Sequence, residues 1–131
     1  MSSRILVIDD DQSILDLYRL LLESEGYEVF ASLLPYEHLA DIEALHPDLI
    51  ILDVKLGEHY GGLLLLQKLK LYRPTKDIPI ILCTAAVQTM QEQEETLRQK
   101  GIPVIYKPFD VDELLLIIRQ FLPSSPLEAN M

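Results

Sequence analysis

The sequence predicts an α/β fold in which one parallel sheet is covered on both faces by helices. Three observations carry that prediction. Four short runs, at residues 5–8, 49–52, 80–83 and 104–105, are apolar throughout, as strands buried on both faces must be. Stretches with the apolar spacing of helices separate them. The order strand then helix recurs five times over 131 residues. That length suits one domain, able to bury roughly two thirds of its unfolded surface without disulfide or metal. Right-handed crossovers then give a doubly wound sandwich of three layers.

Each element has a local reason. Ile5-Leu6-Val7-Ile8 is the first strand. A helix opens at Asp11, places Ile14, Leu17, Tyr18, Leu21 and Leu22 on one buried face, and closes at Gly26 as a left-handed cap. Residues 27–32 read as a second, more exposed strand, and 36–45 as a helix stopped by Pro47. The third strand, 49–52, leads to a helix over 62–72 stopped by Pro74. The fourth, 80–83, leads to a helix over 88–100 stopped by Gly101, with Met90 and Leu97 as its clearly apolar residues. The fifth, 104–105, precedes a helix over 111–122, capped by Asp110 with Glu113 three residues on. That last helix buries Leu114, Leu115, Ile117, Ile118 and Phe121. The domain is therefore residues 1–122, and 123–131 reads as a flexible tail or a truncated linker.

Charge narrows the function. Eleven Lys+Arg against 21 Asp+Glu give −10, which disfavours a phosphate backbone or an anionic membrane surface as a direct partner. The lone Cys83 cannot close an internal disulfide, and no apolar run approaches the ~18 residues of a spanning helix. With no signal-peptide pattern at the N-terminus, the expected location is the cytoplasm.

In an open parallel sheet the ligand site lies beyond the carboxyl ends of the strands. Asp9 and Asp10 end the first strand, Asp53 the third, Thr84 the fourth and Lys107 the fifth. Asp11 and Asp110 are read as helix caps. Asp9, Asp10 and Asp53 are not, because three gathered carboxylates repel one another unless a cation offsets them. All-oxygen ligation suits Mg²⁺, with Mn²⁺ as the alternative ion. Lys107 adds a compact positive charge and Thr84 a hydroxyl. A carboxylate nucleophile, a divalent cation, an amine and a hydroxyl suit phosphoryl transfer onto aspartate.

With Val7-Ile8-Asp9-Asp10-Asp11, Leu52-Asp53, Thr84-Ala85 and Lys107-Pro108-Phe109 in this order and spacing, residues 4–122 resemble the receiver domain of two-component response regulators. The resemblance implies a flavodoxin-like sheet of order 2-1-3-4-5 and a cis bond between Lys107 and Pro108. It implies Asp53 as phospho-acceptor. Asp10 and Asp53 become side-chain Mg²⁺ ligands, with Asp9 acting through water and the backbone carbonyl of Lys55 as the third protein ligand. Thr84 and Lys107 become the phosphoryl contacts, beside a small Ala85. The implied function is a switch, phosphorylated by a sensor histidine kinase or phosphotransfer protein and read by a downstream protein or attached output domain. It is not an enzyme beyond self-phosphorylation and slow autodephosphorylation. A homodimer through the face of the fourth helix, fifth strand and fifth helix is a further expectation.

The chain departs from the family pattern at three points. Gly57, followed by Glu58-His59-Tyr60-Gly61-Gly62, replaces a frequent proline four residues after the acceptor. Val104 replaces the aromatic three residues before the lysine, and Tyr106 lies beside Lys107 instead. Lys55 puts a cation two residues after the acceptor. The first two favour the alternative, a phosphorylation-independent interaction module. A phosphohydrolase would need a second acid near Asp53, where Val54 and Lys55 stand. His38, His46 and His59 show no metal-ligand spacing. Cys83 reads as buried and inert, Tyr18, Tyr72 and Phe121 as core, and residues 91–95 as a solvated helix face.

Overall fold

The apolar runs become strands because only there can each residue bury its side chain on one face or the other of a covered sheet. The computed structural model describes residues 2–33, 38–56 and 61–122. Its strands are β1 (Arg4–Ile8), β2 (Glu28–Ser32), β3 (Leu49–Asp53), β4 (Ile80–Thr84) and β5 (Val104–Tyr106). The helices are α1 (Gln12–Ser24), α2 (Leu39–Leu45), α3 (Gly61–Leu71), α4 (Val87–Gln99) and α5 (Val111–Phe121). All strand pairs are parallel, in the order β2-β1-β3-β4-β5, as the resemblance implied.

Alternation along the strands splits the core in two. Leu6, Ile8, Ile50, Leu52, Ile80 and Leu82 face α2, α3 and α4 through Ile42, Leu65, Leu66, Leu69, Met90 and Leu97. Ile5, Val7, Leu49, Ile51, Ile81 and Cys83 face α1 and α5 through Leu15, Tyr18, Leu22, Leu114 and Ile118. Every residue of β3 and β4 is buried. β2, at the sheet edge, is only partly so, as its sequence suggested.

The helix ends follow local chemistry. Asp11 accepts from the Ser13 N–H and Asp110 from the Asp112 N–H, both at 2.9 Å, so both act as caps. Gly26 and Gly101 sit at φ 91° and 81°. At each, the glycine N–H and the next N–H reach back into the last turn, to Glu23 and Leu22 and to Arg98 and Leu97, the bond pair of a Schellman motif. The apolar closures are Tyr27 with Leu22 and Ile102 with Leu97.

Some expectations shift. The buried stripe of α1 is Leu15, Tyr18 and Leu22, while Leu17 is 39% exposed. Leucines at 15, 17, 20, 21 and 22 allow more than one helical stripe, and packing on the sheet selects one. Tyr72 is half-buried, not core, and its hydroxyl donates to Glu43 at 2.9 Å. Glu94 is half-buried and pairs with Arg98, unlike the solvated rest of 91–95. The second helix is described from Leu39, and its expected start at Tyr36 lies outside the described residues. So do Gly57, Glu58, His59, Tyr60 and the tail 123–131. No helix among the described residues is long and apolar enough to cross a membrane.

Candidate functional site

β1 and β3 are neighbours, yet β1 runs into α1 on one face of the sheet and β3 into α3 on the other. Their carboxyl ends therefore flank a crevice, the usual ligand position in such a sheet. A cleft of about 780 Å³ opens there, lined by Asp10, Asp53, Lys55, Thr84, Gln88 and Lys107 among others.

Carboxylate oxygens of Asp9, Asp10 and Asp53 lie within 4.8 Å of one another. Asp9 and Asp53 are 1% and 6% exposed, and Asp10 is exposed. Asp9 is held by its surroundings: its Oδ1 accepts from the Asp11 N–H at 3.0 Å and its Oδ2 from Lys107 Nζ at 2.6 Å. Asp53 Oδ1 accepts from the Lys55 N–H at 3.2 Å, and Oδ2 lies 3.4 Å from Lys107 Nζ. Lys107 thus bridges the two buried acids.

Burial pushes the Asp53 carboxyl up from 3.8 to about 6; Lys107 pulls it down and Asp9 pushes it further up. Burial disfavours the charged form of Lys107, but Asp9 and Asp53 outweigh that and raise its pKa. Asp9, Asp10 and Asp53 therefore bring together more negative charge than Lys107 offsets. A hard divalent cation is the charge this oxygen-only set lacks, and the three carboxylates are close enough to share one.

Thr84 is fully buried, and its Oγ1 accepts from the Ala86 N–H at 2.9 Å. Its carbonyl accepts from the Lys107 N–H at 2.8 Å, which ties the ends of β4 and β5 together. The Lys107–Pro108 bond is cis. Behind the acids, the Tyr18 and Phe109 rings stack at 5.4 Å.

The five positions read from the strand ends, Asp9, Asp10, Asp53, Thr84 and Lys107, thus meet at one edge of the sheet. Lys55 joins them in the lining of the cleft. One contributor was missed. A Cβ on Gly62 would lie 1.8 Å from the carbonyl oxygen of Asp53 and 2.7 Å from that of Val54. The start of α3 therefore presses directly on the end of β3, and the Gly62 N–H donates to the Val54 carbonyl at 3.0 Å. The second glycine of Gly61-Gly62 was the available signal.

The chain is similar to known proteins along most of its length. A family model described as the response regulator receiver domain matches residues 5–119. The polar-differentiation response regulator DivK of Brucella ovis is 32% identical over 93% of this chain and 98% of its own length. The DNA-binding dual master transcriptional regulator RpaA of Synechocystis is 37% identical over 91% of this chain, which spans 48% of RpaA. Among solved structures, a CheY-like receiver domain protein from Methanospirillum hungatei superposes with TM-score 0.76 at 34% identity, covering 92% of this chain and 93% of its own. The Vibrio cholerae chemotaxis protein CheY4 gives 0.78 at 26%, covering 93% and 100%.

Proposed function

This chain belongs to the response regulator receiver domain family, and on that premise we propose that it is a switch operated by phosphorylation of Asp53. The observation that carries the reading is the pair of buried acids, Asp9 and Asp53, bridged by Lys107 within reach of Asp10 and Thr84. Receiver chemistry is mainly positioning and charge neutralisation, and these are the groups it needs.

Asp10 and Asp53 would hold Mg²⁺ (or Mn²⁺), with the Lys55 carbonyl as third protein ligand and Asp9 acting through water. When bound, the ion withdraws charge from the transferring phosphoryl group. A carboxylate oxygen of Asp53 attacks phosphorus. The bond from phosphorus to the donor, a phosphohistidine nitrogen in a kinase or phosphotransfer protein, breaks with its electron pair, and the donor nitrogen takes up a proton. Lys107, already 3.4 Å from Asp53, receives the new negative charge. The Thr84 hydroxyl leaves its bond with the Ala86 N–H and donates a hydrogen bond to a phosphoryl oxygen. The added charge, roughly −1.5 to −2 by analogy with other phosphoresidues, biases the face of α4, β5 and α5 toward a downstream protein, an attached output domain or a second copy of the chain. The switching unit is residues 1–122.

A small phosphodonor such as acetyl phosphate with Mg²⁺ tests the reading. Wild type takes up one acid-labile phosphoryl group, and Asp53→Asn takes up none. Equal labelling of the two sinks the assignment. The alternative, an interaction module independent of phosphorylation, requires that neither binds Mg²⁺ in the millimolar range nor takes up label.

A further inference from the structure

A surface helix ordinarily turns polar residues outward. The outer side of α3 does not. The helix buries Leu65, Leu66 and Leu69 against the sheet, yet Leu64 is 54% and Leu71 86% exposed. With exposed Gln67 and Lys68 between them, they follow the i, i+3, i+4, i+7 spacing of one helix face. Leu71 is the most exposed large apolar side chain among the described residues. Contiguous apolar surface of this kind marks interaction sites.

Charge also departs here from the rest of the chain. Residues 61–76 contain Lys68, Lys70, Arg73 and Lys76 and no Asp or Glu, in a protein of net charge −10. The dipole of a helix favours cations in its last turn, which accounts for Lys68 and Lys70. It accounts neither for Arg73 and Lys76, which lie past the end of α3, nor for the leucines. Lys68, Arg73 and Lys76 are exposed and form no ion pair among the described residues. Lys70 instead donates from Nζ to the Ile78 carbonyl at 3.0 Å. Thr75 Oγ1 donates to the Leu69 carbonyl, and the Lys76 N–H to the Tyr72 carbonyl, both at 2.8 Å. The segment carrying Arg73 and Lys76 is thereby fixed against the end of α3, so binding need not order it.

We infer that the outer face of α3, with the segment that follows it, docks an acidic amphipathic helix of a protein partner. Charge complementarity selects that occupant. Three cations without acid partners flank a leucine stripe, so the partner needs carboxylates beside an apolar stripe of its own. Charges farther away than about 8 Å are largely screened at physiological ionic strength, so the local cations outweigh the acid excess elsewhere. An anionic bilayer fits less well: polybasic lipid sites gather roughly four to eight cations, and Lys70 is engaged by a backbone carbonyl. A second copy offers a poorer match, since α5 exposes Leu116 alone and α1 carries Arg19 between Leu17 and Leu20. Docking leaves the acid cleft open. Leu71 lies about 14 Å along the helix from Gly62, the residue that abuts Asp53. The inference does not depend on phosphorylation of Asp53.

The test uses the full chain and a fluorescein-labelled synthetic helix of three heptads. Its first and fourth heptad positions are leucine and the flanking ones glutamate. Binding is read by fluorescence anisotropy at low salt, beside one version with lysine for glutamate and one with serine for leucine. Only the acidic leucine helix should bind saturably. Leu71→Ser should weaken it about ten-fold, as should Lys68→Gln, Arg73→Gln and Lys76→Gln combined. High salt should weaken binding to wild type much more than to the triple variant. The substituted positions are exposed, and unchanged thermal melting confirms that the variants fold. Absence of binding, equal binding of the acidic and basic helices, or wild-type affinity in both variants overturns the inference. Sedimentation velocity and flotation with phosphatidylserine vesicles complete the test. Self-association or vesicle binding that is lost in these variants, with no binding of the acidic helix, assigns the face to a second copy or to a membrane and overturns it as well.

Discussion

Replacing Asp53 with asparagine should stabilise the metal-free protein, and the gain should grow with pH. The Asp53 carboxyl is raised by burial from 3.8 to about 6 despite Lys107. A carboxyl whose folded pKa lies above its unfolded value binds its proton more tightly in the folded state. Its contribution is fully present below the unfolded pKa and is lost as pH rises through the folded one. The shift, at about 1.4 kcal/mol per unit, corresponds to about 2–3 kcal/mol lost between pH 4 and pH 7. Asparagine does not titrate, so the stability of Asp53→Asn relative to wild type should rise by about that amount over this window. Differences that do not depend on pH, such as the altered contact with Lys107, cancel between the two pH values.

The assay is urea denaturation of both proteins with a chelator present at pH 4, 5, 6 and 7. Millimolar Mg²⁺ supplies the second arm. An ion bound only by the folded state stabilises by about 2.7 kcal/mol at a hundred times its Kd. It should therefore return most of the wild-type loss at pH 7 and do far less at pH 4, where Asp53 is protonated. An asparagine advantage that is flat with pH, or that shrinks as pH rises, would refute the claim that Asp53 is held in an electrostatically unfavourable state.

Other perturbations probe the parts separately. Lys107→Met leaves Asp9 and Asp53 buried without their cation; it should destabilise the metal-free protein by about 3 kcal/mol at pH 7 and less at pH 4 in urea melts. Gly62→Ala places a Cβ far inside contact distance of the Asp53 carbonyl. We expect a loss of about 1–3 kcal/mol or more in stability, read by thermal melting, together with slower labelling of Asp53 because the end of β3 must move. Thr75 is fully buried and donates from Oγ1 to the Leu69 carbonyl at 2.8 Å; Thr75→Val should destabilise by about 1 kcal/mol by chemical denaturation and leave the labelling rate unchanged.

How much was legible in the sequence depends on the kind of order involved. Strands buried on both faces announce themselves, since Leu49 to Leu52 and Ile80 to Cys83 have no polar position to confuse the period. Helix stops at Gly26 and Gly101 were legible because each is a backbone conformation that L side chains rarely adopt. The acids, Thr84 and Lys107 were legible because each ends a strand, and parallel strands bring their ends together. The buried stripe of α1 was not, because a leucine-rich helix leaves its rotation to be set by the sheet. Nor was the role of Gly62, whose constraint is a carbonyl eight or nine residues earlier in the chain. Tyr106 was set aside from Lys107 as facing another way, and alternation does put it under α4. What the sequence could not convey was its register opposite Thr84, which depends on how β4 and β5 pair.

The central claim is that Asp53 itself carries the phosphoryl group, and chemical trapping tests it most directly. An aspartyl phosphate is reduced by borohydride to homoserine, which peptide mass spectrometry can place in the chain. After treatment with acetyl phosphate and Mg²⁺, the account predicts homoserine at position 53, absent when Mg²⁺ is withheld. Homoserine at position 9 or 10, or a phosphoryl group on His38 or His46 with position 53 unmodified, would contradict it.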